Sequence, residues 1–118
     1  MRILVVDDST TMRRIISNSL RAVGYEDIVE AGDGQQALET LEGVSMMLTD
    51  WNMPNMDGLT LVKTVRANPA LAGMPIIMVT SEGARDEVME ALAAGVNDYI
   101  VKPFTKDVLA EKVRGMLK

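Results

Sequence analysis

The sequence predicts an α/β domain in which five parallel strands alternate with five helices. Three observations carry the prediction. Short apolar runs of strand length recur five times, each is followed by a segment with apolar residues at helical spacing, and glycine, proline or a capping side chain marks the joins. At 118 residues the chain fits one domain of ordinary size, so residues 1–118 are read as a single unit.

The first strand is expected at residues 3–6, followed by a helix over about 9–23 whose Met12, Ile15, Ile16, Leu20 and Val23 share one face before a stop at Gly24. The second strand is placed at 28–31, and its helix carries Ala37, Leu38 and Leu41. The third runs over 46–49 with Asp50 at its end. A loop containing Pro54 then leads to a helix over 58–66, with Asp57 as N-cap. The fourth occupies 76–79, ending in Thr80 and Ser81, and precedes an alanine-rich helix over 85–94 closed by Gly95. The fifth covers 99–101 and ends in Lys102-Pro103, and a last helix is expected over 106–117 with Thr105 as N-cap. Met46, Met47 and Met78 fall in strands, where filling gaps in the core is their expected role. Trp51 reads as an exposed loop aromatic beside Asp50 and a useful optical reporter.

Composition removes several classes of function. Twelve Lys and Arg against seventeen Asp and Glu give a net charge of −5, without the basic face that a phosphate backbone requires, so no nucleic acid partner is expected. The absence of Cys and His excludes disulfides, thiolate chemistry, His-ligated zinc and imidazole triads. The opening apolar run is too short for a signal peptide and no later stretch is long enough to insert in a membrane, so a cytoplasmic protein is expected.

In open parallel sheets, ligands bind beyond the carboxyl ends of the strands, beside the point where strand order reverses. The residues just past the five strands are Asp7 and Asp8, Gly32, Asp50, Thr80 and Lys102. In the flavodoxin-like (βα)5 order 2-1-3-4-5, with helices on both faces, the end without a reactive group is the edge strand, and the other four converge. Carboxylates about 4 Å apart at an effective dielectric near 20 repel by roughly 4 kcal/mol per pair, and three pairs rival the whole stability of a small domain. Lys102 offsets part of that repulsion. An all-oxygen acidic cluster is also what Mg²⁺ accepts, and an Asp beside a metal and a Lys can attack phosphorus to form an acyl phosphate. The Thr80 hydroxyl would help hold the new oxygens. Each residue also has a plain reading: Asp8 as a helix N-cap, Asp50 as a turn aspartate, Thr80 or Lys102 as a solvated strand end. This geometry leaves the nucleophile open among the carboxylates; Asp50 is chosen for its central position, Asp7 and Asp8 being an adjacent pair suited to metal.

These residues resemble a known family. Asp7-Asp8, Asp50, Thr80 and Lys102-Pro103 are similar to the signature of the receiver domains of two-component response regulators, across essentially the whole chain. The segments from Asp7 to Arg14, Asp50 to Gly58 and Tyr99 to Phe104 resemble, more narrowly, the chemotaxis members of that family. The resemblance implies that Asp50 accepts a phosphoryl group from the phosphohistidine of a histidine kinase. It also implies Mg²⁺ bound by the carboxylates of Asp8 and Asp50 and the backbone carbonyl of Asn52, with Asp7 acting through ligated water. Lys102 and Thr80 would hold the phosphoryl oxygens, and Tyr99 would turn inward as Thr80 moves. The face of the fourth helix, fifth strand and fifth helix would then dock a downstream target through Arg85, Val88, Tyr99, Lys106 and Lys112. Asn52 and Glu82 would tune hydrolysis, and the Lys102-Pro103 bond would be cis. The protein would be a switch that assists its own phosphorylation and dephosphorylation. With no DNA-binding segment after the fifth helix, output by docking is expected, the flagellar motor switch being one possible target. The start of the fourth helix, Gly83 to Glu87, is less positive than in chemotaxis members, which keeps another pathway or a phosphate sink as alternatives.

Two rival classes use some of the same residues. Gly32-Asp33-Gly34-Gln35-Gln36-Ala37 satisfies G-x-G-x-x-A after a strand, as in a dinucleotide-binding module, but it leaves Asp7, Asp8, Thr80 and Lys102 idle. An aspartyl-nucleophile phosphatase would expect a second acid where this chain has Ser9.

Overall fold

The computed structural model describes residues 1–81 and 83–116. Its strands are β1 (Ile3–Val6), β2 (Ile28–Ala31), β3 (Met46–Thr49), β4 (Ile76–Thr80) and β5 (Asp98–Val101). They pair in parallel in the order β2-β1-β3-β4-β5. The three central strands are buried along their whole length, which is why they read as unbroken apolar runs: a parallel sheet is covered on both faces.

The helices are α1 (Thr10–Ala22), α2 (Gly34–Glu39), α3 (Gly58–Arg66), α4 (Arg85–Ala94) and α5 (Lys106–Met116), with a 3₁₀ turn at Pro69–Leu71 that the periodicity does not reveal. Strand alternation divides the core into two layers. Leu4, Val6, Met47, Ile76 and Met78 face Ala37 of α2, Leu61, Val62 and Val65 of α3, and Ala91 of α4. Ile3, Val5, Met46, Leu48, Ile77, Val79 and Ile100 face Ile16 and Leu20 of α1 and Leu109 and Val113 of α5. Each fully buried aliphatic side chain contributes roughly 1.5–3 kcal/mol, so these layers supply stability that the carboxyl edge of the sheet need not. The three strand methionines are core, as expected.

Caps set the helix bounds. Ser9, and not Asp8, caps α1, its hydroxyl accepting from Met12 N at 3.1 Å. Asp57 caps α3 through Thr60 N at 2.8 Å, and Thr105 accepts from Val108 N at 3.2 Å. Gly95 closes α4 at φ +116°, the left-handed turn that glycine adopts freely. Three expectations are corrected. Helix α2 ends at Glu39, leaving Leu41 in the following turn. Ile15 lies 46% exposed, because Ile16 and Leu20 take the buried side of α1. Trp51 is only 8% exposed, its ring packed in the α2–α4 layer and not on a loop surface. The expected last residue of the fifth helix, Leu117, lies outside the described residues. Among the described residues no helix is long and apolar enough to cross a membrane.

Candidate acidic site at the carboxyl edge of the sheet

Strand register brings the reactive residues together. Val6 pairs with Thr49, so the next residues of the two strands, Asp7 and Asp50, leave the sheet side by side; Asp50 N donates to Val6 O at 2.9 Å. Thr80 pairs with Val101, and Lys102 N donates to Thr80 O at 2.8 Å, which puts Lys102 at the same edge. Carboxylate oxygens of Asp7, Asp8 and Asp50 lie within 4.8 Å of one another. The Lys102 ammonium stands 2.9 Å from Asp7 Oδ2 and 3.3 Å from Asp50 Oδ2. The Lys102–Pro103 bond is cis.

The other carboxylate oxygens are held by main chain. Ser9 N donates to Asp7 Oδ1 at 2.9 Å and Trp51 N to Asp50 Oδ1 at 2.7 Å, so both acids point one oxygen at Lys102 and are fixed by the other. Asp7 is 1% and Asp50 9% exposed, whereas Asp8 is open to solvent. Burial raises the Asp50 carboxyl above its ordinary value of 3.8; Lys102 pulls it back down and Asp7 pushes it up further. Burial alone would lower the Lys102 ammonium, but its hydrogen bond to Asp7 and the charges of Asp50 and Asp7 outweigh that and raise it above 10.5. One ammonium does not balance three acids. The remaining negative charge and the all-oxygen donor set fit a hard divalent cation such as Mg²⁺.

Neighbouring residues shape the rim. Thr80 is buried at the end of β4, in phase with Ile76 and Met78 and hence toward the α2–α4 layer, against which Tyr99 also packs with its hydroxyl oxygen buried. Asn52 is exposed in the turn after Asp50. Glu82 lies outside the described residues. Gly58 N donates to Trp51 O at 2.7 Å, and a Cβ at Gly58 would collide with the Asp50 carbonyl oxygen, so α3 starts hard against the acidic residue's own backbone.

Sequence reasoning gave Arg13 no role. Its Nη1 donates to the Asp7 carbonyl at 2.6 Å while Nε meets Glu30 at 3.2 Å, tying the start of the acid pair to β2. A basic residue one turn into the helix after an acid pair was the available signal. On the expected docking face, Arg85 and Lys106 are exposed and Val88 is half-buried, but Lys112 is bonded to Asp98 at 2.9 Å. Exposed Met89, Leu92, Val101 and Val108 on α4, β5 and α5 add apolar area that the sequence reading missed. The glycine motif of the dinucleotide reading sits after the edge strand β2, and the space over Gly34 is taken by Met56.

Comparison with known proteins identifies the family and the fold. The family model described as the response regulator receiver domain matches residues 3–114. The chain is 57% identical to a chemotaxis protein CheY homolog of Campylobacter jejuni, covering 99% of this chain and 92% of that protein. It is 56% identical to chemotaxis protein CheY1 of Helicobacter pylori, covering 99% and 97%. The solved structure of the chemotaxis response regulator CheY4 of Vibrio cholerae superimposes with a TM-score of 0.91 at 34% identity over 98% of both chains. The chain therefore belongs to the response regulator receiver domains, phosphorylation-activated switches that take their phosphoryl group from histidine kinases, and is closely related to the CheY chemotaxis regulators among them.

Proposed function

We propose that Asp50 is the phosphoacceptor of a single receiver domain spanning residues 1–118. The observation that carries this reading is the Lys102 ammonium set between Asp7 and Asp50 at the carboxyl edge of the sheet. Asp50 Oδ1 is engaged by the Trp51 amide, and Oδ2, 3.3 Å from the Lys102 ammonium that would also meet the phosphoryl oxygens, is assigned as the attacking oxygen. It forms a bond to phosphorus as the bond to the kinase imidazole nitrogen breaks, and that nitrogen keeps the electron pair. Lys102 then holds a phosphoryl oxygen, Thr80 donates its hydroxyl to another, and Asp7 keeps Lys102 in place. Asp8 and Asp50 carboxylates and the Asn52 carbonyl would hold Mg²⁺, which supplies charge neutralisation at the phosphoryl group. Reversal of the switch is attack of water on phosphorus with the Asp50 carboxylate leaving, at a rate set by the side chains of Asn52 and Glu82.

The added charge, roughly −1.5 to −2 at pH 7, draws Thr80 toward the pocket and holds Tyr99, whose hydroxyl oxygen already lies buried, inward behind it. That movement reshapes the α4–β5–α5 face, where Arg85, Val88, Tyr99, Lys106 and Lys112 meet the downstream target. The names of the relatives favour chemotaxis; in that reading the target is the flagellar motor switch and the place of action the cytoplasm. A second reading, a regulator of another pathway or a phosphate sink, is favoured by the acidic start of α4 at Asp86 and Glu87.

The test follows Trp51 fluorescence and radiolabel during addition of Mg²⁺ and then acetyl phosphate. Wild type should respond to Mg²⁺, then reversibly to acetyl phosphate, and Asp50→Asn should take up no label. Label persisting in Asp50→Asn would move the acceptor elsewhere.

A further inference from the structure

The turn between β3 and α3 makes contacts that the acid cluster does not require. Asn55 has φ +69°, the one left-handed backbone outside glycine among the described residues, and Asn tolerates that conformation better than most. Its Nδ2 donates to Asp33 Oδ2 at 2.9 Å, across 22 residues of sequence. Asp33 Oδ1 accepts from Gln36 N at 2.8 Å, so one carboxylate both caps α2 and holds the tip of the turn. Hydrogen bonds from Gln36 N and Asn55 hold the Asp33 carboxyl below 3.8. Met56 lies over Gly34, where a Cβ would come within 2.8 Å of Met56 Cγ. Gly32 N donates to Gln36 Oε1 at 2.8 Å. The Gly32-Asp33-Gly34 run is thus a receptacle for the turn, which explains the glycine motif without a nucleotide. At its other end the turn is fastened by Gly58 N to Trp51 O. Asn52 lies between the two anchors.

We propose that Asp33 and Asn55 are a positioning pair that fixes the β3–α3 turn, and with it the Asn52 main chain, so as to set the divalent-cation affinity of the acidic site. The proposal rests on the reading above in which the Asn52 carbonyl is a ligand. A cation with near-ideal octahedral demands penalises a misplaced carbonyl, and a ligand on a loose turn must be ordered at the moment of binding. Pro54 stiffens the turn, and the Asp33 bond ties its tip to the start of α2. Both partners lie at the surface, where such a bond adds little to global stability, so its effect should appear in binding.

The test is Mg²⁺ titration of the full chain by calorimetry, with amide hydrogen exchange across residues 52–55 in metal-free buffer. Asn55→Gly keeps the positive φ and removes the side chain. It should raise the Kd for Mg²⁺ about tenfold, the lower end for residues that orient metal ligands, and speed exchange in the turn while the urea midpoint stays put. Asp33→Asn keeps one oxygen to accept from Gln36 N, and its new amide NH2 can donate to Asn55 Oδ1 once the Asn55 amide turns over, so it should stay near wild type. Wild-type binding with an unchanged Kd in Asn55→Gly overturns the pair's role alone. No Mg²⁺ binding by wild type overturns the metal site and the pair's role together.

Discussion

Lys102 and Arg66 are both partly withdrawn from water, at opposite ends of the sheet, and they meet different company. Lys102 lies at the carboxyl end of β5 between two carboxylates, and its pKa is raised in spite of burial. Arg66, in the last turn of α3, donates to the carbonyls of Gly95 at 3.0 Å and of Leu71 and Ala72 at 3.2 Å, and to Asn97 Oδ1 at 2.8 Å. Asn97 Oδ1 in turn accepts from Ile76 N at the start of β4. Burial lowers the Arg66 pKa. Neutral dipoles make the Arg66 end a fixed knot. The Lys102 end is a balance of full charges that a cation or a phosphoryl group can tip, and only such an end can switch.

The largest expected effect falls at the knot. Arg66→Ala strands several acceptors and should cost about 3 kcal/mol in urea unfolding, with Mg²⁺ affinity unchanged. Lys102→Ala leaves two buried carboxylates without their cation and should cost about 2 kcal/mol in EDTA, partly restored by Mg²⁺. Restoration of Arg66→Ala by Mg²⁺ would erase the distinction between the two ends. Asp8→Asn should move stability the other way, raising it in EDTA by roughly 0.5–1 kcal/mol while weakening Mg²⁺ binding. The smallest effect is a slope. Because the native Asp50 pKa is raised, stability in EDTA should fall as pH climbs from about 3.8 through that raised value, and Asp50→Asn should flatten the curve there. Arg66→Ala should keep the wild-type slope.

The carboxyl end was the legible one. Apolar runs with polar terminators name Asp7, Asp50, Thr80 and Lys102, and the rule for parallel sheets gathers them without side-chain detail. The Arg66 knot left no trace, because carbonyl acceptors carry no residue signature. The Asp33–Asn55 bond was hidden for a related reason, since its partners are ordinary cap and turn residues on separate elements. Trp51 misled because a lone aromatic among Pro, Asn and Gly has no period, and its burial depends on the tight return of the chain at Gly58. The Lys112–Asp98 bond leaves no sequence signal either, because the two residues lie 14 positions apart on α5 and β5.

Gly58 also decides which wall of the pocket can yield. With the first turn of α3 pressed against its carbonyl, the Asp50 backbone has no room to retreat on that side. In the proposed reading, a phosphoryl group on that carboxylate therefore pushes sideways, toward the strands carrying Thr80 and Tyr99, and the bare Cα at Gly58 sets that direction.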